Sequence, residues 1–348
     1  MKKIAHVFSH FNIGGAQTML ADIMNVQVRT CKVTLFVLLD DVNEGLLESL
    51  DKRIKVVLLK RHLGSRNYYP YLKLNFLLNF SGYDVVHIHE ITIWNQLFLA
   101  PWVQRFQTVH NTGLFSAYFK RCVKLFAISK SVQYGLLQKG YLNVVLAPNG
   151  IDCKLIEKKT NTEYHPTTFR VVQVSRLIIN HKGQDLLVKA LSNLKDKNKL
   201  PHNLVLDFIG EGRDMQRLED MVKDKKLQNN IHFLGQKDRN YVYAHLKDYN
   251  LFVQPSRYEG FGLTVAEAMM AGIPVLVSRN EGPFEIIDKG KYGYSFENGN
   301  SDDLTVKLQF ILDNYQQALD KAIAGIDFIK NNYNVENTAQ IYLDNYFS

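Results

Sequence analysis

Residues 251–278 read LFVQPSRYEGFGLTVAEAMMAGIPVLVS. Two short apolar runs, LFVQPS and PVLVS, enclose a glycine-rich loop and an almost wholly apolar segment, LTVAEAMMAG. A strand, a loop, a helix and a second strand in so short a span make a βαβ unit. The strands are continuous rather than alternating, as parallel strands covered on both faces are. Two carboxylates sit in this company, Glu259 in the loop and Glu267 in the helix. Charged side chains avoid such surroundings unless something holds them there. Thr264 and Glu267 fit a T-x-x-E capping box. That box would explain Glu267 and leave Glu259 and the glycines unexplained.

The same alternation runs through all 348 residues. Apolar runs at 3–10, 32–39, 55–59, 84–89, 106–111, 124–129 and 144–148 are expected strands of a first half. Runs at 169–175, 204–210, 231–235, 251–256 and 274–278 are those of a second. Helical stretches separate them, which predicts an α/β protein of two doubly wound, Rossmann-like domains. The polar segment CKLIEKKTNTEYHPTTF (153–169) reads as a linker, with a boundary near 165 and domains at 1–165 and 166–331. Two such domains facing one another make a cleft, with ligands at the carboxyl ends of the strands.

A composition of 46% hydrophobic and 22% charged residues is that of a soluble globular chain. No apolar run approaches the ~20 residues of a membrane span, and MKKIAHVFSHFNIGG lacks the apolar core of a signal peptide. Cys31, Cys122 and Cys153 form no C-x-x-C pair, so neither a disulfide framework nor a zinc knuckle is expected. A cytoplasmic location is the expectation. Charge is uneven: residues 1–165 carry 20 Lys and Arg against 11 Asp and Glu, whereas the remainder carries 22 against 23. A basic first half is open to four readings: nucleic acid, an anionic membrane, a phosphorylated substrate, or no more than a soluble surface.

Candidate site residues follow the expected strand ends. Gly14 and Gly15, in SHFNIGGAQTML, would let backbone approach a ligand beside a helix N-terminus. The spacing is not G-x-G-x-x-G, which argues against a nicotinamide cofactor. His87 and His89 alternate along one strand and would share a face, with Glu90 on the other; metal ligation and plain packing both remain open. His110 closes another strand. In the second half, Arg176 and Lys182 lie where a strand gives way to a helix, a pairing suited to a pyrophosphate. Gly210 and Gly212 form a second backbone-exposing turn. In the opening stretch the N–H groups of residues 262–264 would take phosphate oxygens. Glu267 would accept from a vicinal diol such as ribose, and Glu259 would face whatever the phosphate carries. The outline is a nucleotide sugar.

The pattern E-G-F-G-L-T-x-x-E-A-M-x-x-G-x-P-V resembles glycosyltransferase family 4, retaining enzymes of the GT-B fold. GGAQ (14–17), HIH (87–89), TVHN (108–111), AISKS (127–131), PNGID (148–152), SRL…HKG (175–183), GEG (210–212) and FLG (233–235) extend the likeness along nearly the whole chain. The resemblance implies that Gly14 and Gly15 approach the donor phosphates and the acceptor, and that Arg176 and Lys182 bind the diphosphate and stabilise the leaving nucleotide. Glu267 would hold the ribose, Glu259 the donor sugar, and His110 would project towards the transferred sugar. Gly210, Gly212, Gly260, Phe261, Gly262, Leu263 and Thr264 would complete the donor site. The resemblance further implies no metal and no cofactor beyond the nucleotide diphosphate sugar, with UDP the expected nucleotide. A closing helix at about 332–348 is expected to pack back on the first domain.

The acceptor is expected to be a glycan or lipid-linked glycan of surface polysaccharide. The basic, aromatic stretches 58–80 and 118–126 suit attachment to an anionic membrane surface, hence a peripheral location. Nucleic acid finds no reading motif. A nucleotide-sugar 2-epimerase of similar shape, or a non-catalytic nucleotide-sugar-binding subunit, are the alternatives; epimerised nucleotide sugar formed without acceptor would mark the first.

Overall fold

The computed structural model describes residues 1–160, 168–279 and 282–348. The chain divides into two units, Met1–Ile151 with Tyr333–Ser348, and Asp152–Asn332. The first is built on seven strands: β1 (Lys3–Phe8), β2 (Lys32–Leu39), β3 (Lys55–Arg61), β4 (Val85–Ile88), β5 (Gln104–Val109), β6 (Lys124–Ala127) and β7 (Val144–Leu146). Their order is β3-β2-β1-β4-β5-β6-β7 and every pair is parallel. The second holds six: β8 (Phe169–Val174), β9 (Leu204–Ile209), β10 (Ile231–Phe233), β11 (Leu251–Gln254), β12 (Val275–Ser278) and β13 (Tyr294–Phe296). These are ordered β10-β9-β8-β11-β12-β13, again all parallel. In both sheets the order reverses beside the first strand, which opens a crevice at the strands' carboxyl ends.

The burial explains the unbroken apolar runs. In β2, KVTLFVLL, every residue from Val33 to Leu38 is buried, as helices on both faces require. β13 was not among the expected strands: three residues inside KYGYSFENG offer no apolar run, and register with Leu276–Ser278 of β12 makes the strand. The expected strands also run long at their carboxyl ends. Ser9, His10, His89, His110, Ser175, Gly210 and Ser256 all lie past the last paired residue. From these residues on the chain leaves the sheets and forms their rim.

The division falls at Ile151/Asp152, not near 165, and the expected boundary itself lies outside the described residues. The reading of 153–169 as linker fails for its first part. Ile156 is buried, Glu157 N–H donates to the Tyr243 carbonyl (3.1 Å), and Lys159 N–H to that of Ala271 (2.8 Å). The backbone there is tied to the second unit despite its polar sequence.

The last helix, Val335–Tyr346, belongs to the first unit. Gly150 permits it: a Cβ there would lie 2.5 Å from Val335 Cα. Tyr342 and Tyr346 are fully buried, and their hydroxyls meet Thr108 and His87 on the sheet. No helix among the described residues is long and apolar enough to cross a membrane.

Candidate active site

In the second unit three loops converge at the carboxyl ends of β8, β9 and β11, and glycines let them. A Cβ on Gly183 would sit 1.9 Å from the Pro255 carbonyl oxygen, and one on Gly210 or Gly212 would strike the Ser175 or Leu177 carbonyl at 2.1 or 2.3 Å. Gly183 also stands at φ +67°, a conformation side chains other than glycine resist. Gly183→Ala is therefore expected to cost about 2–4 kcal/mol of stability, measured by urea unfolding.

Lys182 ends the short helix Ile179–Lys182, and its ammonium is 2.5 Å from Glu259 Oε2. Gln254 Nε2 donates to the same oxygen (3.1 Å), so the carboxylate is held from two sides. Arg176 is exposed and makes no ion pair among the described residues. Beyond Glu259 the chain turns through Gly262, at φ +98°, into the helix Leu263–Met270. Gly262 is the N-cap and no side chain caps it. That overturns the capping-box reading, because Thr264 lies inside the first turn and cannot cap it. The first-turn N–H groups of a helix have no regular acceptor one turn back; here Val265 N–H turns to the Gly262 carbonyl (2.9 Å), and those of Leu263 and Thr264 are open to an anion. Leu263, Thr264 and Glu267 form the helix's partly exposed face, while Val265, Ala266 and Ala268 to Met270 are buried. Tyr243 donates its hydroxyl proton to Glu267 (3.0 Å). Phe261 is buried and anchors the loop, and Gly282 packs so tightly that a Cβ would come 2.3 Å from Phe261 Cα.

Three positioning residues escaped the sequence reading. Arg257 makes a forked pair with Asp185, at 2.7 and 2.9 Å, and donates to the Ile179 carbonyl (2.8 Å). The fork ties the Glu259 loop to the helix Gln184–Asp196, and the bond to the Ile179 carbonyl ties it to the helix that ends in Lys182. Burial alone would raise the Asp185 carboxyl, yet the Arg257 guanidinium holds it below its ordinary range. Gln173 donates to the Lys182 carbonyl (3.0 Å) and fixes the turn after it. Nothing in their spacing marks them: Arg257 and Asp185 meet across 72 residues, and Gln173 reaches forward to a backbone carbonyl.

The first unit carries a cavity of about 360 Å³ at the carboxyl ends of β1, β4 and β5. His10, His89, Glu90 and His110 line it, with Gln17 from the first helix, Gly15–Gln27. Gly14 is the uncapped N-cap of that helix, and a Cβ there would press to 2.6 Å on Gln17 Oε1. Glu90 does not point away from His89 as alternation along a strand would have it. The strand stops at Ile88, and both residues turn to the cavity. His10 Nδ1 lies 3.1 Å from Glu90 Oε1, and Glu90 Oε2 accepts from Ser9 N–H (3.1 Å). Burial raises the Glu90 carboxyl, against the pull of His10 and that N–H. His110 Nε2 is buried without a hydrogen-bond partner among the described residues, and burial lowers the imidazole to about 4.

His87 takes no part in the cavity lining. With His6 and His89 it forms a buried group whose ligand atoms lie within 4.8 Å of one another. Protein partners already engage most of these nitrogens. His6 meets His89 (3.0 Å) and Gln27 (2.7 Å), and His87 meets Thr108 (2.8 Å) and Tyr346.

Residues 156–325 match the family model described as glycosyl transferases group 1, and residues 13–155 match that of Glycosyltransferase Family 4. The chain is a family 4 glycosyltransferase. The GtfA subunit of the UDP-N-acetylglucosamine–peptide N-acetylglucosaminyltransferase of Streptococcus agalactiae is 33% identical over 139 residues, which cover 40% of this chain and 26% of that one. Matches to the first curated relatives span half or less of those proteins' length. The O-antigen biosynthesis glycosyltransferase WbnH of Escherichia coli is 25% identical, over 96% of this chain and 97% of its own. Among solved structures, that of Anabaena HepE in complex with UDP and glucose superposes with a TM-score of 0.80 at 19% identity, covering 99% of both chains. The fold of the chain is thus GT-B, two Rossmann-like parallel-sheet domains.

Proposed function

We propose that this glycosyltransferase moves a hexosyl or N-acetylhexosaminyl group from a UDP-sugar to a glycan or lipid-linked glycan in surface polysaccharide synthesis, with retention at the anomeric carbon. The observation that carries the donor reading is the convergence, within one unit, of Arg176, the Lys182–Glu259 pair, the uncapped helix N-terminus at Gly262 and Glu267. In this reading Arg176, Lys182 and the helix take the diphosphate, Glu267 the ribose diol and Glu259 the sugar hydroxyls. UDP is inferred from its presence in the HepE complex, and the polysaccharide role from the activity for which WbnH is named. The cavity lined by His10, Glu90 and His110 takes the acceptor. Its hydroxyl attacks the anomeric carbon on the face from which the diphosphate departs, and negative charge gathers on the leaving phosphate. No metal or further cofactor belongs to this scheme.

The test is a thermal-shift panel of UDP, GDP and ADP. At a hundredfold excess over its dissociation constant UDP adds about 2.7 kcal/mol to stability, and its shift is expected to exceed those of GDP and ADP. Glu267→Ala removes a charged acceptor from the diol and is expected to weaken UDP about 10- to 100-fold. A wild-type protein whose melting temperature no nucleotide raises would refute the donor reading.

A further inference from the structure

The helix Tyr69–Phe80 turns the wrong face to water. Its Pro70, Leu74 and Leu78 are buried against the sheet of the first unit, as expected. Tyr69, Leu72, Phe76 and Phe80 recur at spacings of three and four on the opposite side, each more than 60% exposed. The rings of Phe76 and Phe80 meet at 5.3 Å, tilted by 41°, outside the core. Two asparagines one turn apart widen the stripe. Asn75 and Asn79 donate to the carbonyls of Gln96 and Phe98 (2.8 and 2.9 Å) and accept from the N–H groups of Phe98 and Ala100 (2.6 Å each). They staple to the helix a loop bearing two further bare aromatics, Phe98 at 79% and Trp102 at 70% exposure. Those hydrogen bonds hold large apolar side chains in the open, where surface residues of a soluble protein are normally scattered singly.

Charge settles what this face meets. From Lys52 to Tyr83 the chain has seven Lys and Arg and no Asp or Glu. Lys73 shares the exposed side of the helix. At the helix foot, Leu77 and Ser81 line a cavity of about 410 Å³ with Lys3, Lys32, Arg53 and Lys55. Lys3 pairs in register with Lys32, and Lys55 with Thr34 two residues on, so the three lysines share one face at the amino ends of β1, β2 and β3. Arg53 is matched by Asp51, whereas Lys32 and Lys55 have no ion pair among the described residues. The cavity is at the opposite end of the sheet from the one holding His110.

We infer that the face formed by Tyr69, Leu72, Phe76 and Phe80, with Phe98 and Trp102 beside it and the lysine-lined cavity at its foot, docks on an anionic phospholipid bilayer. The helix lies in the interface with its aromatics among the acyl chains and the lysines on lipid phosphates. This goes beyond the donor reading and does not depend on it. The aromatics of the stretch 118–126 add nothing to this face: Phe119 and Phe126 are buried, and Tyr118 stacks on Trp94 at 5.8 Å.

The experiment is co-sedimentation of the full chain with phosphatidylcholine vesicles and with vesicles carrying phosphatidylglycerol. Wild type should pellet with the anionic vesicles only, and less in high salt. Lys32→Glu with Lys55→Glu should lower that partition about fivefold or more per cation removed. Phe76→Ser with Phe80→Ser should lower it at least as far, with melting temperature and UDP-induced shift unchanged. Equal binding to both vesicles, or full binding by the phenylalanine variant, overturns the inference. So does a wild-type dimer that this variant splits, since the stripe would then cover a second copy of the chain. A missing UDP shift with intact vesicle binding would instead refute the donor reading alone.

Discussion

Lys182→Ala is expected to lower the rate of sugar transfer about 10²- to 10³-fold, the usual loss when one preorganised group facing developing charge is removed. Arg176 and Lys182 are matched in number by Glu259 and Glu267, so these four groups carry no net charge with which to attract a diphosphate. Binding then depends on placement. The Glu259 carboxylate fixes the Lys182 ammonium at 2.5 Å, the Arg257–Asp185 fork fixes the loop that carries Glu259, and Gln173 fixes the turn after Lys182. A cation held in this way needs no reorganisation when negative charge grows on the leaving phosphate, which is where such groups stabilise most. Lys182→Ala should therefore reduce kcat far more than it weakens UDP binding. Arg176→Ala should do both, because this exposed guanidinium has no ion pair among the described residues and is free to close on the phosphates. Steady-state transfer from a UDP-sugar, beside UDP affinity by thermal shift, separates the two. A Lys182→Ala enzyme within tenfold of the wild-type kcat would remove the lysine from the leaving-group scheme.

How much of this was legible beforehand depends on whether the determining contacts are local. Parallel strands buried on both faces announce themselves as unbroken apolar runs, and every strand except β13 was read from that pattern. β13 exists through pairing with β12 across a helix, and three residues of mixed polarity carry no period of their own. Residues at strand ends were read as strand because serine, glycine and histidine follow the apolar runs without a break that marks where the last hydrogen-bonded pair falls. Glu90 was misplaced for the same reason, its direction being set by where β4 stops. The glycine turns and Lys182 could be picked out from residue type and position. Arg257, Asp185 and Gln173 could not, since an arginine in a loop and an acid in a helix are ordinary until the fold brings them to 2.7 Å. The capping box failed on geometry: the T-x-x-E spacing is correct, but a glycine at φ +98° starts the helix two residues earlier.

The first unit is expected to lose stability steeply between about pH 6.5 and pH 4, and the buried histidines give the sign. Burial lowers His6 and His110 to about 4, and it lowers His87 and His89 well below their ordinary value, helped by repulsion from neighbouring imidazoles. All four are therefore neutral in the fold, while in the unfolded chain each takes up a proton near pH 6.5. Their contribution is complete above 6.5 and falls with pH, because the unfolded state then binds protons that the native state cannot. Each histidine is worth about 1.4 kcal/mol per pH unit over this window. His6 and His110 alone would remove about 5 kcal/mol between pH 6.5 and 4.5. Glu90 opposes them in part, since a carboxyl raised by burial binds its proton earlier in the fold than in the unfolded chain. Tyr342 and Tyr346, packed on the same cluster, are pushed further above neutrality and do not titrate here. Set against a typical total of about 5–15 kcal/mol, the loss is enough to unfold this unit in mild acid. Both tryptophans, Trp94 and Trp102, lie in the first unit, so their fluorescence in urea titrations from pH 7.5 to 4.5 reads its unfolding directly. His110→Gln should flatten the profile by about one histidine's share, 1.4 kcal/mol per pH unit. A wild-type stability that stays level across that range would mean that these imidazoles reach solvent, and that the network joining the last helix to the sheet is not closed.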